Sequence, residues 1–300
     1  MKHPIKYMIL TGVIVLFLPL GVTVLLSGTD AVSIQKQMDM ETYLPAILCE
    51  QVPWDYEEEM LKVQAVLARS SLYYYLEKEK PEEIPWEEKL EQFQQDRKNA
   101  RYQEAYERME RAVRLTRGQV ITWQGEVCPG VFHRISGGKT RDGMEVLQDV
   151  TFSFLRSVDS GQDREAEEFL KGHYFTPEAL EQRLQEEYPG IIFTEEPLTD
   201  QIRIEKRDSQ DYILEMKVGD QTVTGEEFRR KLELSSCNFT IQELDGKIRF
   251  LCKGLGHGLG LAQYGGNELA KQGKTYQEIL FFYFPDLCIE CIILETLRVK

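Results

Sequence analysis

Two hydrophobic periods alternate along this chain and divide it into helical and extended stretches. Leu61, Ala65, Ala68 and Leu72 follow at spacings of four, three and four behind the acidic run Glu57, Glu58 and Glu59. They predict one face of a helix whose N-terminus carries the negative charge that the macrodipole favours. Ala65 and Ala68 keep that face small, so another element is expected to pack close against it. Just upstream, residues 39–49 lead to Pro53, which disfavours helix at the residue before it. Residues 77–86, with Pro81 and Pro85, read as a connection. Tyr102, Tyr106, Met109 and Val113 then line a second helical face, an aromatic stripe read as core.

Beyond residue 119 the period shortens. Residues 120–123 and 126–133 predict two strands around the turn Gln124-Gly125, the second delivering His133 to the edge of the loop Ser136-Gly137-Gly138-Lys139-Thr140. Residues 161–197 read as helix and loop. Ile202, Ile204, Tyr212, Leu214, Met216 and Val218 show the alternation of a small antiparallel sheet. Asp245-Gly246 marks a hairpin flanked by Cys237 and Cys252. Thr224 to Glu227 and Thr275 to Glu278 have capping-box spacing, the second opening a helix through Phe284. Together these patterns predict an α+β fold with a single domain over residues 31–300.

The densest chemistry lies at residues 253–286. Gly254, Gly256, Gly258 and Gly260 alternate with Leu255, His257, Leu259 and Leu261. That period of two predicts an extended segment with one bare face, against which a backbone, a ligand or a polymer lies. It is not a nucleotide loop, because the third glycine of a dinucleotide fingerprint falls on Leu259 or Leu261. The SGGKT loop fails as a phosphate cradle in the same way, with His133 where glycine is needed.

Composition narrows the partners. A hydrophobic share of 42% supports a sizeable core, while a formal charge of -14 argues against a nucleic-acid partner, which demands cations. Residues 8–26 form an apolar run behind Lys2, His3 and Lys6, long enough for a bilayer core of ~30 Å. The expectation is a membrane anchor within residues 1–30, single-pass in the cell membrane, with its N-terminus cytoplasmic and the domain extracytoplasmic. A cleaved signal peptide competes with this reading, but its apolar region is shorter and no small-x-small site precedes Asp30. All six cysteines lie beyond the run, where disulfides persist. Cys288-x-x-Cys291 has metal-ligand spacing but no second pair, and is read as structural.

TYLPAILCEQVP, EEMLKVQAVLARSS, TRGQVITWQGEVCPGVFHRISGGKT and KGLGHGLGLAQYGG with AKQGKTYQEIL resemble, in order, successive blocks of the SpoIID/LytB (stage II sporulation protein D) family. The resemblance covers residues 41–286. It implies action on peptidoglycan glycan strands during sporulation, either as a membrane-anchored lytic transglycosylase or, as in LytB-type members, by assisting a cell-wall amidase. It places substrate contacts at His133, Ser136, Gly137, Gly138, Thr140, Gly256, His257, Gly258, Gln263 and Tyr264.

Such cleavage needs one carboxyl that protonates the glycosidic oxygen and then serves as base while the sugar's C6 hydroxyl closes onto C1. The family's catalytic Glu falls on Gln51, with Glu50 one residue early, and glutamine exchanges no proton. Two readings stay open: a local bulge brings Glu50 to the catalytic position, or the domain keeps its glycan groove without cutting. A one-residue slip reverses the face in extended chain, and turns the side chain by ~100° in a helix. Ala262, where the family commonly has Ser, is a second departure. Some members bind zinc near the SGGKT block. Cys128 and His133 offer two ligands at a spacing of five, short of the four a structural zinc takes, so no cofactor is expected.

Overall fold

A computed structural model describes residues 40–78 and 100–292. Helix α1 (Leu44–Gln51) has Pro45 in its first turn and stops at Gln51, because Pro53 holds Val52 extended at φ −135° and ψ 146°. α2 (Glu58–Lys78) opens on Glu58 and Glu59, and α3 (Ala100–Leu115) packs beside it. Leu61, Ala65, Ala68 and Leu72 of α2 are buried against Leu44 and Leu48 of α1 and Met109, Ala112 and Val113 of α3. This is the close packing that the small face predicts. The side chain of Tyr102 and the connection over residues 79–99 lie outside the described residues. Arg69 is fully buried within this unit. Its guanidinium grips both oxygens of Glu41 at 2.6 and 2.8 Å and donates to the carbonyls of Val113 and Gln119. The buried charge is therefore compensated and its donors are satisfied.

β1 (Gln119–Trp123) and β2 (Glu126–Val127) form the expected hairpin, with Gln124 at φ 54° and Gly125 at φ 85° in its turn. The expected continuous strand over residues 126–133 is broken. Pro129 and Gly130 interrupt it where the chain crosses α2 so closely that a Cβ on Gly130 would lie 2.3 Å from the Leu67 carbonyl oxygen. β3 (Phe132–His133) therefore enters a different pairing. α4 (Gly143–Leu147) follows, capped by Asp142.

The next stretch builds a lobe with its own core. It contains β4 (Leu170–Phe175), α5 (Pro177–Glu187), β5 (Ile202–Arg207), β6 (Ile213–Val218), β7 (Gln221–Thr224), α6 (Gly225–Lys231), β8 (Phe239–Leu244) and β9 (Lys247–Lys253). Two antiparallel sheets, ordered β4-β9-β8 and β5-β6-β7, enclose Leu180, Leu184, Met216, Phe228, Phe239 and Phe250. Asp245 and Gly246 take φ of 50° and 70° in the β8–β9 turn. Cys237 and Cys252 flank that hairpin as separate buried thiols.

After the lobe the chain returns to α2. β10 (Leu261–Ala262) pairs in parallel with β3, α7 (Gln263–Lys271) and α8 (Tyr276–Tyr283) pack on α2, and β11 (Cys288–Cys291) joins β1 as an antiparallel neighbour. Thr275 and Glu278 form the full capping box at the start of α8, whereas Thr224 supplies only its half to α6. The fold is thus α+β. Among the described residues no helix is long and apolar enough to cross a membrane, and the expected anchor lies outside them.

The glycine alternation proves to be something other than an extended strand. Gly254, Gly256, Gly258 and Gly260 all have positive φ, between 70° and 112°. Their bare face is covered by the chain itself. A Cβ on Gly258 would lie 2.7 Å from the Tyr212 ring, and one on Gly260 would lie 2.1 Å from the Val131 oxygen. Of the three occupants that the pattern allows, a backbone, a ligand or a polymer, the structure places the protein's own chain there.

Candidate functional site

The end of α1, the middle of α2 and the start of α7 converge on three glutamines. Pro53 makes Gln51 the last helical residue, so its carbonyl lacks an intrahelical donor; Gln263 fills the gap with an Nε2 bond of 2.8 Å. The same amide group donates to Gln64 Oε1 at 3.0 Å, and Gln64 Nε2 donates to Gln51 Oε1 at 3.0 Å. Gln64 and Gln263 are buried, Gln51 half-buried. Arg134 closes the chain, donating to Gln263 Oε1 at 3.2 Å while its guanidinium sits 5.6 Å from the centre of the Tyr56 ring. The Arg134 carbonyl accepts the amide of Tyr264 in the first turn of α7. A half-open surface results, with two phenols, a guanidinium and an amide around Gln51.

Electrostatics at this surface are set by burial. Tyr56 is pushed up to about 12, first by burial, with Arg134 acting in the opposite direction. Burial also raises Tyr264, and the carboxylate of Asp163 adds to both phenols. Asp163 is itself fully buried beneath the site. Its Oδ2 accepts the Ser136 amide at 2.9 Å, while Oδ1 has no hydrogen-bond partner. Desolvation therefore raises its carboxyl above the ordinary value despite that bond.

The residues expected from sequence separate into two groups. Gln51, Gln263 and Tyr264 come together as described. Glu50 is exposed and lies about 100° round α1 from Gln51; no bulge brings it into the cluster, because residues 44–51 form regular helix. Ser136, Gly137, Gly138 and Thr140 are engaged in contacts within the protein. Ser136 and Thr140 are fully buried, their hydroxyls accepting the amides of Gly138 and Val158. The Gly137 amide donates to the Tyr212 hydroxyl, and Gly138 packs under Arg164. Gly256 and Gly258 likewise face His133 and Tyr212 rather than an open groove.

His133 and His257 form a tilted ring pair with centroids 5.7 Å apart. His133 is buried with Nδ1 on the Leu259 carbonyl at 3.0 Å and Nε2 without a partner, and burial lowers its pKa to about 3. His257 accepts the Leu259 amide and is lowered by the same cause. Burial thus favours the neutral form of both rings. Cys128 does not join His133; its thiol contacts the Ile121 carbonyl and burial pushes it up to about 12. Among the described residues no group of three His, Cys, Asp or Glu side chains could hold a metal.

Four site residues escape the sequence reading: Tyr56, Gln64, Arg134 and Asp163. Gln64 carried a usable signal, since it is a polar residue three positions after Leu61 and four before Ala68, on the face that packs. Arg134 and Asp163 carried none, because their role depends on the distant start of α7.

Comparison with known proteins adds a context to this geometry. Residues 29–123 match a family model described as stage II sporulation protein. Stage II sporulation protein D of Bacillus amyloliquefaciens is 24% identical over 265 residues, 85% of this chain and 75% of that protein. The protein of the same name from Bacillus subtilis (strain 168) is 25% identical over 260 residues, 83% and 74% of the two chains. A shorter likeness, 41% over 46 residues, links 15% of this chain to 6% of the amidase enhancer of Bacillus subtilis (strain 168).

Proposed function

We propose that this chain, which is similar to stage II sporulation protein D over more than four fifths of its length, is a SpoIID-family protein that serves sporulation at the cell wall by holding peptidoglycan glycan strands without cutting them. The observation that carries this reading is the glutamine at position 51, fixed by Gln64 and Gln263 where the resemblance calls for a carboxyl. An amide donates and accepts hydrogen bonds from sugar hydroxyls, but neither gives nor takes the proton that glycosidic cleavage moves. Tyr56 and Tyr264 offer ring faces and hydroxyls beside it, the kind of mixed surface on which a pyranose rests. The anchor expected in residues 1–30 would hold the domain at the outer face of the cell membrane, against the wall.

The test is substitution at the vacant role. Glu at position 51 keeps the shape of Gln and can still accept from Gln64 Nε2, so the site should tolerate it. Gln51→Glu in the purified full chain should release anhydro-muramyl products from peptide-stripped glycan, visible by mass spectrometry. The unmodified chain should sit about 10² to 10⁴ lower, the usual contribution of one general acid and base. Glu50→Gln should change nothing. Robust cleavage by the unmodified chain that disappears on Glu50→Gln would overturn the proposal.

A second reading rests on the short likeness to an amidase enhancer, in which the domain speeds a partner hydrolase. Mixing the chain with a cell-wall amidase separates the two, since an enhancer raises the release of stem peptides and a strand holder leaves it unchanged.

A further inference from the structure

A cavity of about 650 Å³ opens where the β1–β2 hairpin, the end of α2 and the short 3-10 turn Val150–Phe152 meet. It is separate from the glutamine cluster: Tyr74, which lines it, lies ten residues beyond Gln64 on α2, roughly 15 Å along the helix. Its size falls within the ~300–1,000 Å³ of small-molecule sites. Trp123 forms one wall, half-buried, braced at 6.1 Å by the fully buried ring of Phe154. Tyr74 supplies a second ring. The hairpin turn presents Gln124 at φ 54°, beside Glu126, which pairs with Trp123 across the strands. Opposite, Asp149 fixes the backbone of Thr151 at 2.8 Å, and Val150 is 71% exposed at the rim.

This lining selects a chemistry. Among the described lining residues there is no cation, and the one charged group is the carboxylate of Glu126, so an anionic ligand meets repulsion and no counter-charge from them. Two aromatic rings with neutral amide and hydroxyl groups around them suit a flat, uncharged body edged by hydroxyls. We infer that this cavity is a second glycan subsite, which takes the uncharged N-acetylglucosamine unit of the strand and rejects the carboxylate-bearing neighbour. The inference rests on the reading of the domain as a strand holder and gives that strand a second point of attachment. Two contacts on one polymer raise retention far above either alone.

The experiment uses the full-length ¹⁵N-labelled chain and di-N-acetylchitobiose, a neutral probe. The indole N–H resonance of Trp123 should shift saturably, and Tyr264→Ala should leave that shift intact. Trp123→Leu, which keeps apolar volume against Phe154, and Val150→Trp, which crowds the exposed rim and leaves the core untouched, should each weaken binding about tenfold or more, a loss of ~1.4 kcal/mol. Shifts confined to Tyr264 and Arg134 would overturn this subsite and leave the strand-holding reading standing. No shift at either place would remove both. Binding that survives Val150→Trp unchanged, or that tetramethylammonium displaces, would also overturn it, the latter by identifying a cation cage.

Discussion

At the scale of single residues, burial decides what each candidate group can do. His133 and Asp163 are both buried next to functional backbone, and their protons push stability in opposite directions. His133 drops from 6.5 to about 3 on folding, so the unfolded chain takes a proton first as pH falls; stability is lost from about pH 6.5 downward, with a limiting slope of ~1.4 kcal/mol per unit. Asp163 is raised, so the folded chain holds its proton longer, and its contribution falls as pH rises from the ordinary carboxylate range into the raised one. Denaturant titrations between pH 4 and 7 should show His133→Gln flattening the acid loss and Asp163→Asn removing the decline with rising pH. An NMR titration in which His133 protonates near 6.5 would contradict the first part. Gln51 was legible in the sequence because a motif fixed its position, whereas Gln64 was missed although it interrupts an apolar face. Asp163 and Arg134 were not legible, since each acquires its role from partners more than twenty residues away.

At the scale of elements, the packed face of α2 was read well, but the glycine ribbon was not, nor was β4, a strand inside the stretch 161–197 expected as helix and loop, whose register comes from distant β9 rather than from its own alternation. The spacing along α2 gave its buried face, and the pre-proline rule gave the end of α1. A period of two, however, is shared by strands and by any chain that repeats a conformation every second residue. Positive φ at Gly254, Gly256, Gly258 and Gly260 makes this the latter. Two substitutions separate conformational strain from close approach. Gly246 takes φ 70° and an added methyl would meet nothing within 4 Å, so Gly246→Ala should cost ~1 to 2 kcal/mol from the backbone alone. Gly260 has the same φ of 70° but meets the Val131 oxygen at 2.1 Å, and Gly260→Ala should cost at least twice as much in urea unfolding. Equal losses would show that the ribbon gives way freely. Ala262 leaves α7 without a side-chain cap, which is what the departure from Ser at that position means physically.

At the scale of the whole molecule, a buried ion pair is one of the ties between the lobe and the rest, beside hydrogen bonds such as Gly137 to Tyr212 and Ser209 to Glu145. Arg141 Nε meets Asp208 Oδ2 at 2.5 Å, its Nη1 reaches the His257 carbonyl at 3.1 Å, and its plane lies 4.8 Å from the Tyr212 ring. Asp208 in turn accepts the amides of Gln210 and Tyr212. Asp208→Ala strands the guanidinium in a dry site and should destabilise the chain by ~3 to 5 kcal/mol, read from the thermal midpoint. A loss under about 1 kcal/mol would mean that the lobe and the α2 unit are coupled by other contacts. The α+β class and the small antiparallel sheet were visible in the sequence, but the partition of the antiparallel strands into a separate lobe was not, because alternation records burial and not which core receives it.

The parallel pairing of β3 with β10 joins residues 132–133 to residues 261–262, and between them the chain makes the entire lobe. On a ribosome, α1, α2 and the β1–β2 hairpin emerge long before β10 exists, so Gln51 and Gln64 must wait some two hundred residues for Gln263. The lobe, in which β5, β6 and β7 and the β8–β9 hairpin pair with sequence neighbours and β4 alone reaches across to β9, can finish first. Its two ends meet where the Gly254 amide donates to the Phe169 carbonyl at 2.7 Å, so completing the lobe brings the glycine ribbon back to the strand it must join. The inserted lobe thereby shortens the search for the β3–β10 pairing, and the glutamine cluster is assembled only after the lobe has been made.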